Sequence, residues 1–176
     1  RLLVTVDCGI SSWQEVAAAK SWGMDVIVTD HHQLPDQLPD CIIVNPVLSN
    51  REQDKWRFLC GTGVAFKVVQ GLFSQYYGES GFTKRMLPFL DLAALATVAD
   101  IVPLKGDNRV LVKFGLEQMA YAILALGEDT RVVMEATGRY HEPVAAALHE
   151  YGIYVCVLNP LYIKQSGGGS IRKVKS

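Results

Sequence analysis

Three groups of residues in the first hundred positions can do chemistry together. Asp7 follows the apolar run Leu2-Leu3-Val4-Thr5-Val6, Asp30-His31-His32 follows Val26-Ile27-Val28-Thr29, and Asp100 ends a long apolar helical stretch. Hard divalent ions take carboxylate oxygens, while imidazole suits manganese, iron or zinc, so a mixed Asp/His set favours Mn²⁺ or a similar ion. Neighbouring histidines point in different directions, so one of the pair is expected to bind metal and the other to face a substrate. Each residue alone has a plainer role. A single Asp at a strand end is commonly a turn or cap residue, and a His pair in a Pro-rich loop is commonly solvated.

The elements that must hold these residues are readable from hydropathy patterning. Continuous apolar runs at residues 2–6, 25–29 and 41–44 suit buried parallel strands. Between the first two, Ser12-Trp13-Gln14-Glu15 has the form of a capping box, and Gly23 is a natural helix stop. Strand–helix–strand order implies a parallel sheet, with ligands outside the carboxyl ends of its strands. Asp7 and Asp30-His31-His32 are therefore expected on one rim. Gly61-Thr62-Gly63 opens a helix to about Tyr77, Met86 to Ala99 forms a second, and Asp107-Asn108 can cap a third that reaches about Met119. The glycine turn can present backbone N–H groups to a phosphate or can be a plain helix start; no Lys-Ser/Thr pair follows to make a P-loop. Beyond it, Arg131–Glu135 and Ile153–Val157 read as strands around a helix that starts near Pro143 and stops at Gly152. The tail holds Gly167-Gly168-Gly169 and then Arg172, Lys173 and Lys175.

Composition bounds the rest. The chain has 176 residues, 49% hydrophobic, with 17 Lys plus Arg against 18 Asp plus Glu, a net charge of −1. That excludes a strongly basic nucleic-acid binder, so a polyanion must be held by a local patch or by metal ions. No apolar run reaches the roughly 18 residues of a membrane span. Cys8, Cys41, Cys60 and Cys156 form no C-x-x-C pair, and buried reduced thiols in a cytoplasmic protein are expected. The chain opens at Arg1 without Met and reads as a strand at once, as expected of one that begins inside a domain.

Four segments in order carry a resemblance: Thr5-Val6-Asp7-Cys8-Gly9, Asp30-His31-His32, Cys60-Gly61-Thr62-Gly63-Val64-Ala65-Phe66-Lys67, and Ala96-Thr97-Val98-Ala99-Asp100-Ile101-Val102-Pro103-Leu104. They resemble the DHH phosphoesterase family, and within it the single-strand-specific 5′→3′ DNA exonucleases of repair and recombination. The resemblance spans residues 1–119. It implies a doubly wound parallel α/β sheet and a metal site for Mn²⁺ (or Mg²⁺) formed by Asp7, His31 and Asp100. By the same resemblance His32 contacts the scissile phosphate and Asp30 supports the motif. Single-stranded DNA is the implied partner, with no membrane and no small-molecule cofactor. The family's first Asp-x-Asp strand has no counterpart among these residues, so an incomplete metal site and little or no activity are expected.

Residues 120–176 carry a second resemblance. Arg131–Gly138, His141-Glu142-Pro143-Val144-Ala145, Val157-Leu158-Asn159-Pro160 and Ser170–Lys175 are similar to the RuvC-like DEDD domain of Piv-type insertion-sequence transposases. A partial β-α-β segment is implied, and Glu135 matches one acidic residue of that family's site. His141 and His149 form no H-E-x-x-H, so helix-surface positions are the simpler expectation. Two other readings remain open at this point. The chain can be a non-enzymatic chimera of the two families, or another DHH phosphoesterase such as a pyrophosphatase or oligonucleotide phosphatase.

Overall fold

The computed structural model describes residues 1–49, 55–127, 129–136 and 138–161. They fall into two compact units, Arg1–Gly115 and Leu116–Ser176. The first unit is α/β. Strands β1 (Leu2–Val6), β2 (Asp25–Thr29) and β3 (Ile42–Val44) form a parallel sheet in that order. The register sets Val6 opposite Thr29 and Thr29 opposite Val44, so all three strands end level. Helix α1 (Trp13–Ser21) makes the crossover from β1 to β2. Val16 and Ala19 of α1 pack on Val26 and Val28, with Met24, Cys41 and Ile43 at the margin.

The start of α1 departs from the expected capping box. Ser12 stands at the N-cap with φ −92° and ψ 47°, and its side chain makes no capping bond. A tight turn fixes it instead, with Ser12 N–H donating to Gly9 O at 3.0 Å. The helix end follows expectation. Gly23 takes φ 75° and the N–H groups of Gly23 and Met24 return to Lys20 O and Ala19 O, which closes the last turn.

Helix α2 (Gly61–Met86) begins where the glycine turn predicts but runs past Tyr77. Gly78, at φ 68° and ψ 173°, kinks it there. Only glycine adopts that backbone readily, so the helical pattern stops at Tyr77 and then resumes. Pro88 sits in a 3-10 turn, Leu87–Phe89, and α3 (Leu90–Ala99) follows. Helix α4 (Asp107–Leu124) continues beyond Met119. Leu59, Val64 and Leu111 make a second core with Phe66 and Leu90. Gly115 of α4 lets the backbones touch: a methyl there would overlap Leu90 O and Ala94 Cβ.

In the second unit, β4 (Val132–Glu135) and β5 (Val155–Leu158) pair in parallel, joined by α5 (His141–Glu150). This is a β-α-β segment. Leu148, Val144, Ala145, Ile153 and Val155 are buried in it. Gly152, at φ 73°, ends α5 as its position predicts. The Gly167–Gly169 stretch and the basic residues of the tail lie outside the described residues.

The four cysteines are unpaired, but they are not uniformly buried. Cys60 is buried, Cys41 and Cys156 are half-buried, and Cys8 is exposed in the turn after β1. Among the described residues no helix is long and apolar enough to cross a membrane.

Candidate metal centre

The level carboxyl ends of β1 and β2 set two chain reversals side by side. Asp7 follows β1 directly and its N–H donates to Thr29 O at 3.0 Å. Asp30 follows β2 and its N–H donates to Val44 O at 3.1 Å. Asp7 holds φ 63°, a left-handed backbone uncommon outside glycine. Ile101, next to Asp100, has φ 59°, which is a true outlier for a β-branched residue. Strained backbone of this kind clusters at functional sites.

Asp30 is the fixed point of the site. Its residue is 1% exposed. Oδ2 accepts from Ile10 N–H at 2.9 Å, and Oδ1 accepts from His31 N–H at 2.8 Å and His32 N–H at 3.2 Å. The same Oδ1 lies 2.7 Å from His32 Nδ1. Burial pushes the Asp30 carboxyl up, but the Ile10 N–H, the His32 ring and the His32 and His31 N–H groups more than offset that. The carboxyl therefore stays below the usual carboxylate range. In return, the hydrogen bond to Asp30 lifts the His32 imidazole above its ordinary value against partial desolvation. The charges of Asp30, Asp7 and Asp100 add to the rise.

His31 points the other way. Its side chain is 14% exposed, and Nε2 lies 3.1 Å from Asp7 Oδ1 and 3.5 Å from Asp100 Oδ2. That nitrogen is buried yet makes no hydrogen bond. Asp7 and Asp100 keep 58% and 43% of their side chains exposed, so both carboxylates open to solvent. A buried imidazole nitrogen that faces two carboxylate oxygens and makes no hydrogen bond fits a divalent cation better than it fits a protein-only contact. Asp7, His31 and His32 also offer ligand atoms that all lie within 4.8 Å of one another. His32 is 61% exposed and its ring stands 4.5 Å from that of His31.

The structure thus brings Asp7, His31 and Asp100 together, sets His32 at the open edge, and places Asp30 beneath. Glu135 ends β4 in the second unit. Of the glycine turn, Gly63 N–H is already taken by Cys60 Sγ at 3.4 Å.

Two residues around the site have roles that the sequence did not show. Asn45, nearly buried, donates from Nδ2 to His32 O at 3.0 Å and accepts Val47 N–H at 2.8 Å, so it ties the His32 loop to the end of β3. Asn-Pro after a strand was readable only as a stop signal. Asn108 is buried rather than a cap: Nδ2 donates to Phe58 O at 2.6 Å and Pro103 O at 3.0 Å, holding the segment after Asp100.

Comparison with known proteins agrees with this architecture. The model of the DHH family, N-terminal domain, matches residues 1–97, and one described as a transposase of the DEDD, IS110 type matches residues 107–176. The single-stranded-DNA-specific exonuclease RecJ of Salmonella typhimurium is 40% identical over 154 residues, 84% of this chain and 26% of the relative. That of Thermus thermophilus is 39% identical over 146 residues, 83% of this chain and 20% of the relative. The chain thus spans about a quarter or less of the curated relatives it matches. Among solved structures, RecJ from Thermus thermophilus in complex with Mn²⁺ superposes with a TM-score of 0.56 at 38% identity, covering 66% of this chain and 17% of that one. An exonuclease RecJ bound to manganese gives 0.59 at 35% identity, covering 69% and 30%. With the DHH model matched across the whole sheet and both reversals that bear the site, the chain belongs to the DHH family.

Proposed function

We propose that residues 1–119 carry part of the metal centre of a phosphodiesterase that degrades single-stranded DNA from the 5′ end. Asp7, His31 and Asp100 are the ligands for Mn²⁺ (or Mg²⁺). The observation that carries this reading is the buried His31 Nε2, unbonded between two carboxylates. The RecJ relatives and their manganese-bound structures support the substrate and the ion. When bound, the ion supplies Lewis-acid charge and an activated water for phosphodiester attack. The protein's own part is positional. Asp30 orients both histidines, and His32, exposed and with its imidazole lifted above its ordinary value by the hydrogen bond to Asp30, is placed to contact a phosphate oxygen. Residues 120–176 are a partial RuvC-like transposase segment in which Glu135 takes no part in this centre. A cytoplasmic setting without membrane or small-molecule cofactor goes with that reading.

Calorimetric titration with Mn²⁺ tests the assignment. His31→Ala weakens binding most. His32→Ala leaves binding largely intact while weakening affinity for a phosphate ester, and Glu135→Gln has no effect. Because an imidazole must be neutral to ligate, affinity falls as pH is lowered. Equal losses from all three substitutions would sink the assignment.

A further inference from the structure

We propose that Gly61 is a positioning residue whose bare Cα sets where the Asp7 carboxylate stands. The inference rests on reading Asp7 as a metal ligand. Gly61 is the first residue of α2, and a methyl on its Cα would lie 2.5 Å from Asp7 Cβ and nearer still to Cγ and Oδ1. Real side chains do not approach that closely, so the whole Asp7 side chain lies flat against this backbone. The Asp7 side chain can move aside only by leaving His31, because its backbone is held. Its N–H is bonded to Thr29 O, its φ is fixed at 63°, and His31 Nε2 stands 3.1 Å from its Oδ1.

The glycine is not there for backbone freedom. Gly61 is helical, a conformation every residue adopts, and alanine is ordinarily the better helix former. Gly71 of the same helix has nothing within 4 Å of an added methyl. What distinguishes Gly61 is its neighbour alone. Gly61 therefore leaves the space in which the Asp7 side chain lies.

The test uses the full chain. Gly61→Ala weakens Mn²⁺ affinity by about tenfold or more, the usual range for groups that orient a ligand. It also lowers the metal-free Tm by several degrees. Gly71→Ala does neither. A double-mutant cycle then separates action through Asp7 from a general effect on the helix. Asp7→Gly suits the left-handed backbone and removes the three atoms nearest the methyl, so Gly61→Ala added to Asp7→Gly costs little further Tm. Wild-type affinity in Gly61→Ala, or the same Tm loss in both backgrounds, overturns the proposal. If Gly61→Ala does not fold, the double variant does; failure of both overturns it equally. Should the unaltered chain bind no Mn²⁺, the functional reading falls while the Tm cycle still reads the Gly61–Asp7 contact.

Discussion

Asp30 concentrates more hydrogen bonds than any other side chain of the site, and its worth depends on pH. Four donors converge on one buried carboxylate: the N–H groups of Ile10, His31 and His32, and the His32 ring. Hydrogen bonds to charged groups contribute about 1.5–3 kcal/mol each in favourable cases, and orphaned donors cost comparably. Asp30→Asn turns an amide group toward backbone N–H groups, so a loss of about 2 kcal/mol or more is expected. The Asp30 carboxyl is held below its usual 3.8, so its share of stability is full above that value and is lost as pH falls through the depressed one. The His32 imidazole is lifted above 6.5, so its share is full below that value and is lost as pH rises through the raised one. The gap between the native chain and Asp30→Asn is accordingly widest between pH 3.8 and 6.5 and narrows on both sides. Urea unfolding across that range, with a chelator present, measures it; a pH-independent gap would contradict the assignment.

At the scale of elements, two substitutions separate real caps and ties from apparent ones. Ser12 has the spelling of a capping box with Glu15, yet at φ −92° and ψ 47° it lacks the extended backbone of a cap and its side chain makes no capping bond. Ser12→Ala therefore changes stability by less than about 0.5 kcal/mol, where a working cap is worth about 1 kcal/mol. Asn108 has the spelling of a cap and is instead a buried tie between the Phe58 and Pro103 carbonyls. Asn108→Ala removes the bonds to both carbonyls, of which Pro103 O keeps the Lys105 N–H at 2.8 Å, and a loss of about 1–3 kcal/mol in denaturant unfolding is expected. The same contrast explains what could be read beforehand. The three strands of the first sheet were legible because apolar runs bounded by Gly, Asp and Pro encode themselves locally, but the expected burial holds only for β2: Leu2, Leu3, Val4 and Val6 of β1 and Ile42 and Val44 of β3 are exposed. The helix stops at Gly23 and Gly152 were legible for the same reason. Asn45 bonds a residue 13 positions away and Asn108 one 50 positions away, so no window of sequence shows either tie. Gly61 against Asp7 is a contact of the same long-range kind. The kink at Gly78 hid the continuation of α2, because a helical period cannot be followed through a residue that breaks it.

At the scale of the whole chain, the arrangement of charge decides how much catalysis the 176 residues support. Phosphodiester hydrolysis by paired metals calls for two ions about 3.5–4 Å apart, each with its own set of ligands. On the proposed assignment, Asp7, His31 and Asp100 would supply three ligand groups, enough for one ion with water in its remaining positions. Two of the three are carboxylates that face solvent, with Asp7 58% and Asp100 43% exposed. Charge stabilisation in such a site is worth far less than in a dry one, because water screens it. The net charge of −1 adds no general attraction for a polyanion either. Calorimetry should therefore find close to one Mn²⁺ per chain, and the purified chain should release little or no nucleotide from 5′-labelled single-stranded DNA. The two measurements bear on each other. Binding of one ion without turnover is the expected pair of results. Two bound ions with robust Mn²⁺-dependent digestion would mean that further residues complete the centre, and the ligand set would have to be redrawn from the described residues outward.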